Sequence, residues 1–333
     1  MNKTMLFTPL EKATDEVGGK DINADPVREN SLTGFTVLPT ELFLKIKKGG
    51  GPRSFLRGFI LTVFFTTGFF INHSFATNHF LRVHFIDVGY GDAILVQSSD
   101  GPVSLIDSGD VEYAGRVEKY LRSLAIKKIH TAILTHPHKN HFGGFYRLAD
   151  RISIDRFYSN GDDAQGEEGY QEMLAVMRRQ SVATAVLRRG DEIDFAANDA
   201  YLKVLHPPDL SSSANENSIV TWLKFGQTSF LFTGDIQEPQ QAQLIELFPE
   251  IKTADCIQIP HHGGIVSEQF VSFFDNVQVE KQERFFVIST GKNDYNKPFL
   301  ERLRQVQGNI LRTDQMGTIT LESDGRKVRV VHE

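Results

Sequence analysis

Three histidines within six residues, directly behind an apolar strand, constrain this chain more than any other feature. The segment reads Thr135-His136-Pro137-His138-Lys139-Asn140-His141-Phe142-Gly143-Gly144 and follows the apolar run Thr131–Leu134. A tight loop of this kind aims its imidazoles at one centre, and neutral imidazole is a common zinc ligand. Gly143 and Gly144 permit close backbone approach where the loop turns into the next element. Cys256 is the single cysteine, so a disulfide framework and a cysteine-rich zinc module are excluded. Any metal must therefore be held by histidines and carboxylates. Cys256 itself reads as a small buried residue.

Further candidates stand at the ends of predicted strands. His206 follows Tyr201–Leu205, Asp235 follows Phe230–Phe232 through Thr233-Gly234, and His261-His262 follow Ile257–Ile259 through Pro260. Residues at strand ends converge on one rim of a sheet, so this set has the makings of a two-metal site. Taken singly, His206 ahead of Pro207-Pro208 also fits a loop histidine, and Asp235 a turn or helix-cap aspartate. Of the adjacent pair His261 and His262, one is expected to point away. Asp87 and Asp107 also end strands, and they are read as orienting the histidine loop or as simple turn residues.

Period-two alternation through Val83 and Phe85 predicts a strand over Leu81–Asp87. Further strands are expected at Ala93–Gln97, Val103–Ile106, Ile154–Tyr158, Tyr201–Leu205, Ile219–Phe225, Ser229–Phe232, Cys256–Ile259 and Phe285–Ser289. Helical spacing marks Val111–Leu124, Gly169–Gln180, Glu238–Leu247, Ser267–Phe274 and Pro298–Gln307, and a hairpin closes the chain around Asp324-Gly325. No repeat or linker divides residues 81–333. The pattern is that of one α/β (α+β) domain, two packed sheets with helices outside.

The N-terminal part has a different character. Residues 1–52 lack a sustained apolar period and read as an unstructured extension. Residues 53–76 place Arg53 and Arg57 ahead of the uncharged run Phe59–Ile71 and end in Ser74-Phe75-Ala76. That run is short for a membrane span but suits a secretory signal. A retained anchor through residues 58–81 is the alternative, and both imply export to a periplasmic, extracellular or membrane-anchored location. Residues 77–333 are then the folded domain. The chain carries 36 basic against 42 acidic side chains, a net charge of −6, which excludes a protein coated in basic residues for tight nucleic-acid binding. Arg178-Arg179, Arg188-Arg189 and Lys292 are scattered and read as surface charges.

The ordered set His84–Ala93, Leu105–Gly109, the histidine loop, Leu205-His206-Pro207, Asn215–Ser218, Phe232–Asp235 and Pro260–Gly263 resembles the metallo-β-lactamase superfamily. Within it, the chain is most similar to the extracellular hydrolase-like domain of ComEC-type DNA-uptake (competence) proteins and their free-standing relatives. The membrane channel of those proteins has no counterpart here. The resemblance implies a four-layer αββα sandwich with metals at the rim between its sheets. It also implies one or two Zn2+ ions, with Mn2+ as an alternative. By position, His136, His138 and His206 would hold the first metal, Asp235 would bridge, and His141 with His261 or His262 would hold the second. The implied reaction is hydrolysis by a metal-bound hydroxide, on a phosphodiester in nucleic acid or in a cell-envelope polymer.

Four residues depart from the family pattern. Asn140 replaces an aspartate that ligates the second metal and orients the nucleophile, so a weaker second site, or a single metal, is expected. Tyr90 replaces a glutamine and Gly264 a serine. Lys297 replaces a histidine, which either removes an acid/base group or places a cation near a phosphate. Asn140, Asp235 and Lys297 are the candidate catalytic residues. Because of Asn140, a metal-binding pseudo-enzyme or nucleic-acid-binding module is the competing reading. A hydrolase for lactones or β-lactams is a third.

Overall fold

The computed structural model describes residues 79–99, 101–164, 166–194, 200–275, 283–291 and 297–332. The extension, the signal or anchor segment and Lys292 lie outside the described residues. Among the described residues, no helix is long and apolar enough to cross a membrane.

Two mixed sheets face each other. The first has eight strands, in the order Val328–Val331, Ile319–Ser323, Leu81–Phe85, Ile94–Ser98, Val103–Ile106, Lys128–Ile133, Ser153–Ser159 and Ala183–Val186. The second has seven, in the order Asn309–Arg312, Phe285–Ile288, Cys256–Gln258, Thr228–Phe232, Val220–Phe225, Ala200–His206 and Glu192–Asp194. In each sheet one half is antiparallel and the other is parallel.

Alternation along the strands builds the layers. Leu81, Val83 and Phe85 join Phe230, Phe232, Phe285 and Leu321 in the core between the sheets. The rings of Phe85 and Phe232 meet there at 6.2 Å. Leu95 and Leu105 point the other way, against Val117 and Leu121 of helix Ala114–Ser123 and Met173 of helix Tyr170–Arg179. On the second sheet, Leu231 and Ile257 face outward onto helices Glu238–Leu247, Glu268–Phe273 and Lys297–Leu303. Helix, sheet, sheet, helix is the αββα order that period-two strands with two apolar faces require.

The parallel halves position the site. Strands Val103–Ile106 and Lys128–Ile133 run parallel in one sheet, and Thr228–Phe232, Cys256–Gln258 and Phe285–Ile288 run parallel in the other. Their C-terminal ends deliver Asp107, the histidine loop, Asp235, His261-His262 and Ser289 to one rim. Three strands escape the sequence pattern, among them Asn309–Arg312 at one edge of the second sheet. Ala183–Val186 is an edge strand exposed at every residue, and Glu192–Asp194 is a short edge.

His84 is a polar residue of the first strand and is fully buried. Its Nδ1 lies 2.9 Å from Tyr120 Oη and 3.0 Å from Thr320 Oγ1. Burial, with Arg82 adding to it, lowers its pKa from 6.5 to about 4. The folded chain thus keeps a neutral ring where the unfolded chain takes a proton. This contribution to stability is intact above pH 6.5 and is lost as pH falls toward about 4, a loss of about 3 kcal/mol. Urea unfolding between about pH 7 and pH 4 is expected to show a steeper decline for the native chain than for His84→Gln. Parallel declines would remove His84 as the cause.

Candidate metal centre

Asp107 sets the histidine loop. Its Oδ1 accepts the Thr135 N–H at 2.8 Å, and its Oδ2 accepts the Thr135 hydroxyl at 2.7 Å and His141 Nδ1–H at 2.8 Å. The next residues clamp the loop's far end. Ser108 N–H donates to His141 O at 2.7 Å, and Gly144 N–H donates to Gly109 O at 3.0 Å. The glycines are required here, because a Cβ on Gly144 would stand 2.1 Å from Ser108 O and one on Gly143 2.3 Å from Val111 N.

The same hydrogen bonds choose the imidazole tautomers. With its proton on Nδ1 for Asp107, neutral His141 presents a bare Nε2. Thr135 gives its hydroxyl proton to Asp107, so its oxygen accepts His136 Nδ1–H at 3.1 Å. His262 Nδ1–H donates to Ser289 O at 3.0 Å. Each ring is left with an acceptor Nε2, the form a metal ligand needs, held by a partner on its other nitrogen.

These nitrogens surround one carboxylate oxygen. Asp235 Oδ2 lies 3.3 Å from His141 Nε2, 3.5 Å from His262 Nε2, and 3.7 Å from both His136 Nε2 and His261 Nε2. Adjacent residues on a strand would diverge, but His261 (φ 49°) and His262 (φ 56°) both take the left-handed conformation. That turn brings both Nε2 atoms within 3.7 Å of Asp235 Oδ2, but of the two rings only His262 joins a set of donor atoms that could hold a metal. Asp235 is seated by its N–H, which donates to Ser218 Oγ at 3.1 Å.

Two sets of donor atoms share Asp235. One joins His136, His138 and Asp235, and the other joins Asp92, His141, Asp235 and His262; within each, the donors lie within 4.8 Å of one another. His138 Nδ1 is 3.0 Å from His136 Nε2. His206 stands outside both sets, because its Nε2 donates to Glu216 O at 2.8 Å. Asn140 reaches the second set as an amide, its Nδ2 donating to His262 Nε2 at 3.2 Å. Asp87 does not touch the loop and instead pairs with Arg116 at 3.1 Å. The Lys297 side chain lies outside the described residues. Asp92, in the turn after Gly91, is the member the sequence reading missed. Its signal was a carboxylate at a strand-turn rim like the others, but without a histidine beside it.

The electrostatics fit a cation. Burial and the neighbouring His141 hold His136 well below the ordinary histidine range. Burial opposes protonation of His141, yet Asp235 and Asp107 outweigh it and hold that ring well above the range. Burial likewise opposes a charged Asp235, but His262 and His141 hold it well below the usual carboxylate value. Protons and metal ions answer the same field of carboxylates. Asp92 Oδ1 and Oδ2, Asp235 Oδ1 and His141 Nε2 are buried without a hydrogen-bond partner among the described residues. Such atoms are expensive to bury unless a cation meets them, and the donor set of imidazole and carboxylate suits Zn2+ or Mn2+.

Asp107→Asn tests the tautomer argument. An amide cannot offer His141 and Thr135 the same all-acceptor group. The substitution is expected to weaken metal binding about 10–100-fold without unfolding the chain, measured by competition with a chelator. Unchanged affinity would mean that Asp107 serves only the turn.

Residues 86–263 match the metallo-beta-lactamase superfamily. The chain is also 29% identical over 259 residues to ComE operon protein 3 of Bacillus subtilis (strain 168), covering 70% of this chain and 32% of that protein. It therefore spans about a third of that relative's length. Among solved structures, it is similar to Zn(2+)-bound PqqB from Methylobacterium extorquens, at 9% identity and a TM-score of 0.48, over 72% of this chain and 99% of that one. A diphosphatase from the PhnP family matches at 16% identity and a TM-score of 0.43, over 76% of this chain and 100% of that one. With more than half of its length matched, and its two facing sheets carrying the histidine loop at their shared rim, the chain belongs to the metallo-beta-lactamase superfamily.

Proposed function

We propose that this protein is an exported metal-dependent hydrolase that acts on a phosphodiester, with Zn2+ or Mn2+ as its cofactor. The observation that carries the reading is the ring of four imidazole Nε2 atoms at 3.3–3.7 Å around Asp235 Oδ2. His136 and His138 would hold one ion, His141 and His262 the other, and Asp235 both. Metals held this way act as Lewis acids on a phosphoryl oxygen and make water nucleophilic near neutral pH. The chain's own residues contribute the fixed orientation of the imidazoles and a cleft beside them.

That cleft has a volume of about 540 Å³ and is bordered by Asn140, Tyr90, Tyr113, Arg116 and Thr290. Tyr90 packs its ring 4.4 Å from that of His262, so it bounds the space next to the centre. Asp87, Asp110, Glu112 and Asp314 also line the cleft, with Arg116 as the one cation among the described lining residues. An acidic wall repels a long polyanion and favours a short diester or a sparsely charged envelope polymer over duplex DNA. Nucleic acid is therefore the less favoured of the two partner classes. The phosphodiester class is preferred over lactones and β-lactams because it is the one the resemblance to ComEC-type competence proteins implies, and the chain is similar to ComE operon protein 3 over 259 residues.

A second reading has its own observation. The Asn140 amide donates to His262 Nε2 at 3.2 Å, so a neutral donor occupies a ligand nitrogen. A metal-binding module without catalysis fits that contact.

Incubation with Zn2+ or Mn2+ and bis(4-nitrophenyl) phosphate separates the readings. Turnover is expected, together with its loss on chelation and in Asp235→Asn. For a single-stranded oligonucleotide, kcat/KM is expected to rise with added salt, the reverse of the usual basic binder. Metal uptake with no turnover of any diester would favour the binding module. Faster turnover of a lactone or β-lactam would replace the substrate class.

A further inference from the structure

We infer that Asp92 supplies the carboxylate of the second metal site, so that this site is complete without an acidic residue at position 140. The inference rests on the metal-dependent reading above and goes beyond it, because it gives a ligand role to the turn between the first two strands.

The geometry carries it. The donor atoms of Asp92, His141, Asp235 and His262 all lie within 4.8 Å of one another, and all four residues are buried. Two imidazoles and two carboxylates make four ligands, the number zinc takes in a closed shell. His141 and His262 each spend Nδ1–H on a fixed partner, Asp107 Oδ2 at 2.8 Å and Ser289 O at 3.0 Å. Their Nε2 atoms are therefore the ones left for a metal, and they lie 3.3 and 3.5 Å from Asp235 Oδ2.

Asp92 is built for this position. Asp92 O accepts the Gly109 N–H at 2.7 Å, which ties the turn to the segment that orients His141. Gly91 precedes it with φ 147°, and a Cβ there would stand 2.3 Å from Asn140 O. The turn thus lies flat against residue 140, at a distance only glycine allows. Asp92 presents its carboxylate from the facing loop, next to the place where the family pattern would put one. Neither Asp92 Oδ1 nor Oδ2 has a hydrogen-bond partner among the described residues, and the side chain is 1% exposed. The nearest cationic contact is His141 Nδ1, at 3.9 Å and already committed to Asp107. A carboxylate serving only the fold would have acquired hydrogen-bond donors.

The test uses the full chain, Mn2+ or Zn2+ alone, and two readouts, metal content and thermal unfolding. The native chain is expected to bind about two equivalents, Asp92→Asn about one, and Asn140→Ala about two. For the metal-free chain, Asp92→Asn is expected to raise the melting temperature by roughly 2–4 °C, because a buried carboxyl group without a hydrogen-bond donor has been replaced by a neutral amide. With metal present, the same variant is expected to melt below the native chain. Two equivalents retained in Asp92→Asn would overturn the inference while leaving a two-metal hydrolase standing. So would a second equivalent lost in Asn140→Ala. A native chain that binds no metal would overturn both. A lower melting temperature for metal-free Asp92→Asn, with unchanged metal content, would make Asp92 a structural residue.

Discussion

Everything at the rim between the sheets depends on one buried carboxylate that is not itself among the donor sets, that of Asp107. It ends a strand with φ 58°, a conformation aspartate tolerates better than most side chains. From there it accepts hydrogen bonds from both the backbone and the hydroxyl of Thr135 and from His141. Those bonds join the ends of two parallel strands, fix the start of the histidine loop and set the tautomers of His136 and His141. Without a charged all-acceptor group there, the loop would still be rich in histidine, but its nitrogens would not be sorted into donors outside and acceptors inside. The chemistry of the centre is thus chosen by a residue that touches it only through other side chains.

Much of this is legible in the amino-acid sequence, and the reasons are local. Leu81, Val83 and Phe85 alternate because one strand face meets the other sheet, and Phe230 and Phe232 alternate for the same reason. Such strands announce themselves. The clustering of His136, His138 and His141 is equally plain, since the loop is short and continuous. That Asp235 and His261-His262 arrive at the same rim follows from strand ends converging in a sandwich. What escapes is what depends on contacts distant in sequence. Asp92 lies 49 residues before His141, and the packing of Gly91 on Asn140 and the Gly109 N–H bond to Asp92 O bring it in. The ring of His206 sits at the expected strand end, but its Nε2 is taken by a backbone carbonyl. No spacing rule reveals which nitrogen a carbonyl will claim. The left-handed turn at His261-His262 is hidden too, since histidine does not signal positive φ as glycine does.

The charge of the molecule gains a location. A net charge of −6 over the chain says little about binding until the acidic residues are placed. Asp87, Asp110, Glu112 and Asp314 border the cleft beside the metal centre. Asp87 is partly answered by Arg116 and Asp314 by Arg312, at 3.1 and 2.6 Å. The cleft is therefore less hostile to a phosphate than the residue types suggest, but it is far from a basic groove. Any affinity for a phosphodiester has to come from the centre itself rather than from steering along the walls.

This places the burden on the charge at the centre. Asp92, Asp107 and Asp235 are buried within one small volume, and their mutual repulsion raises the energy of the metal-free fold. His141 and His262 answer part of it by holding protons more tightly than free histidine does. A divalent ion would displace those protons and neutralise the same carboxylates at closer range. Asn140 matters in this balance as much as in ligation. A further carboxylate at that position would add a negative charge to a pocket that already holds Asp92 without a hydrogen-bond partner among the described residues. An amide there lets the metal-free chain fold with less repulsion and leaves the anionic donor to the facing turn. The exchange of aspartate for asparagine then reads as a redistribution of charge around the centre, compatible with two metals, instead of as the loss of a site.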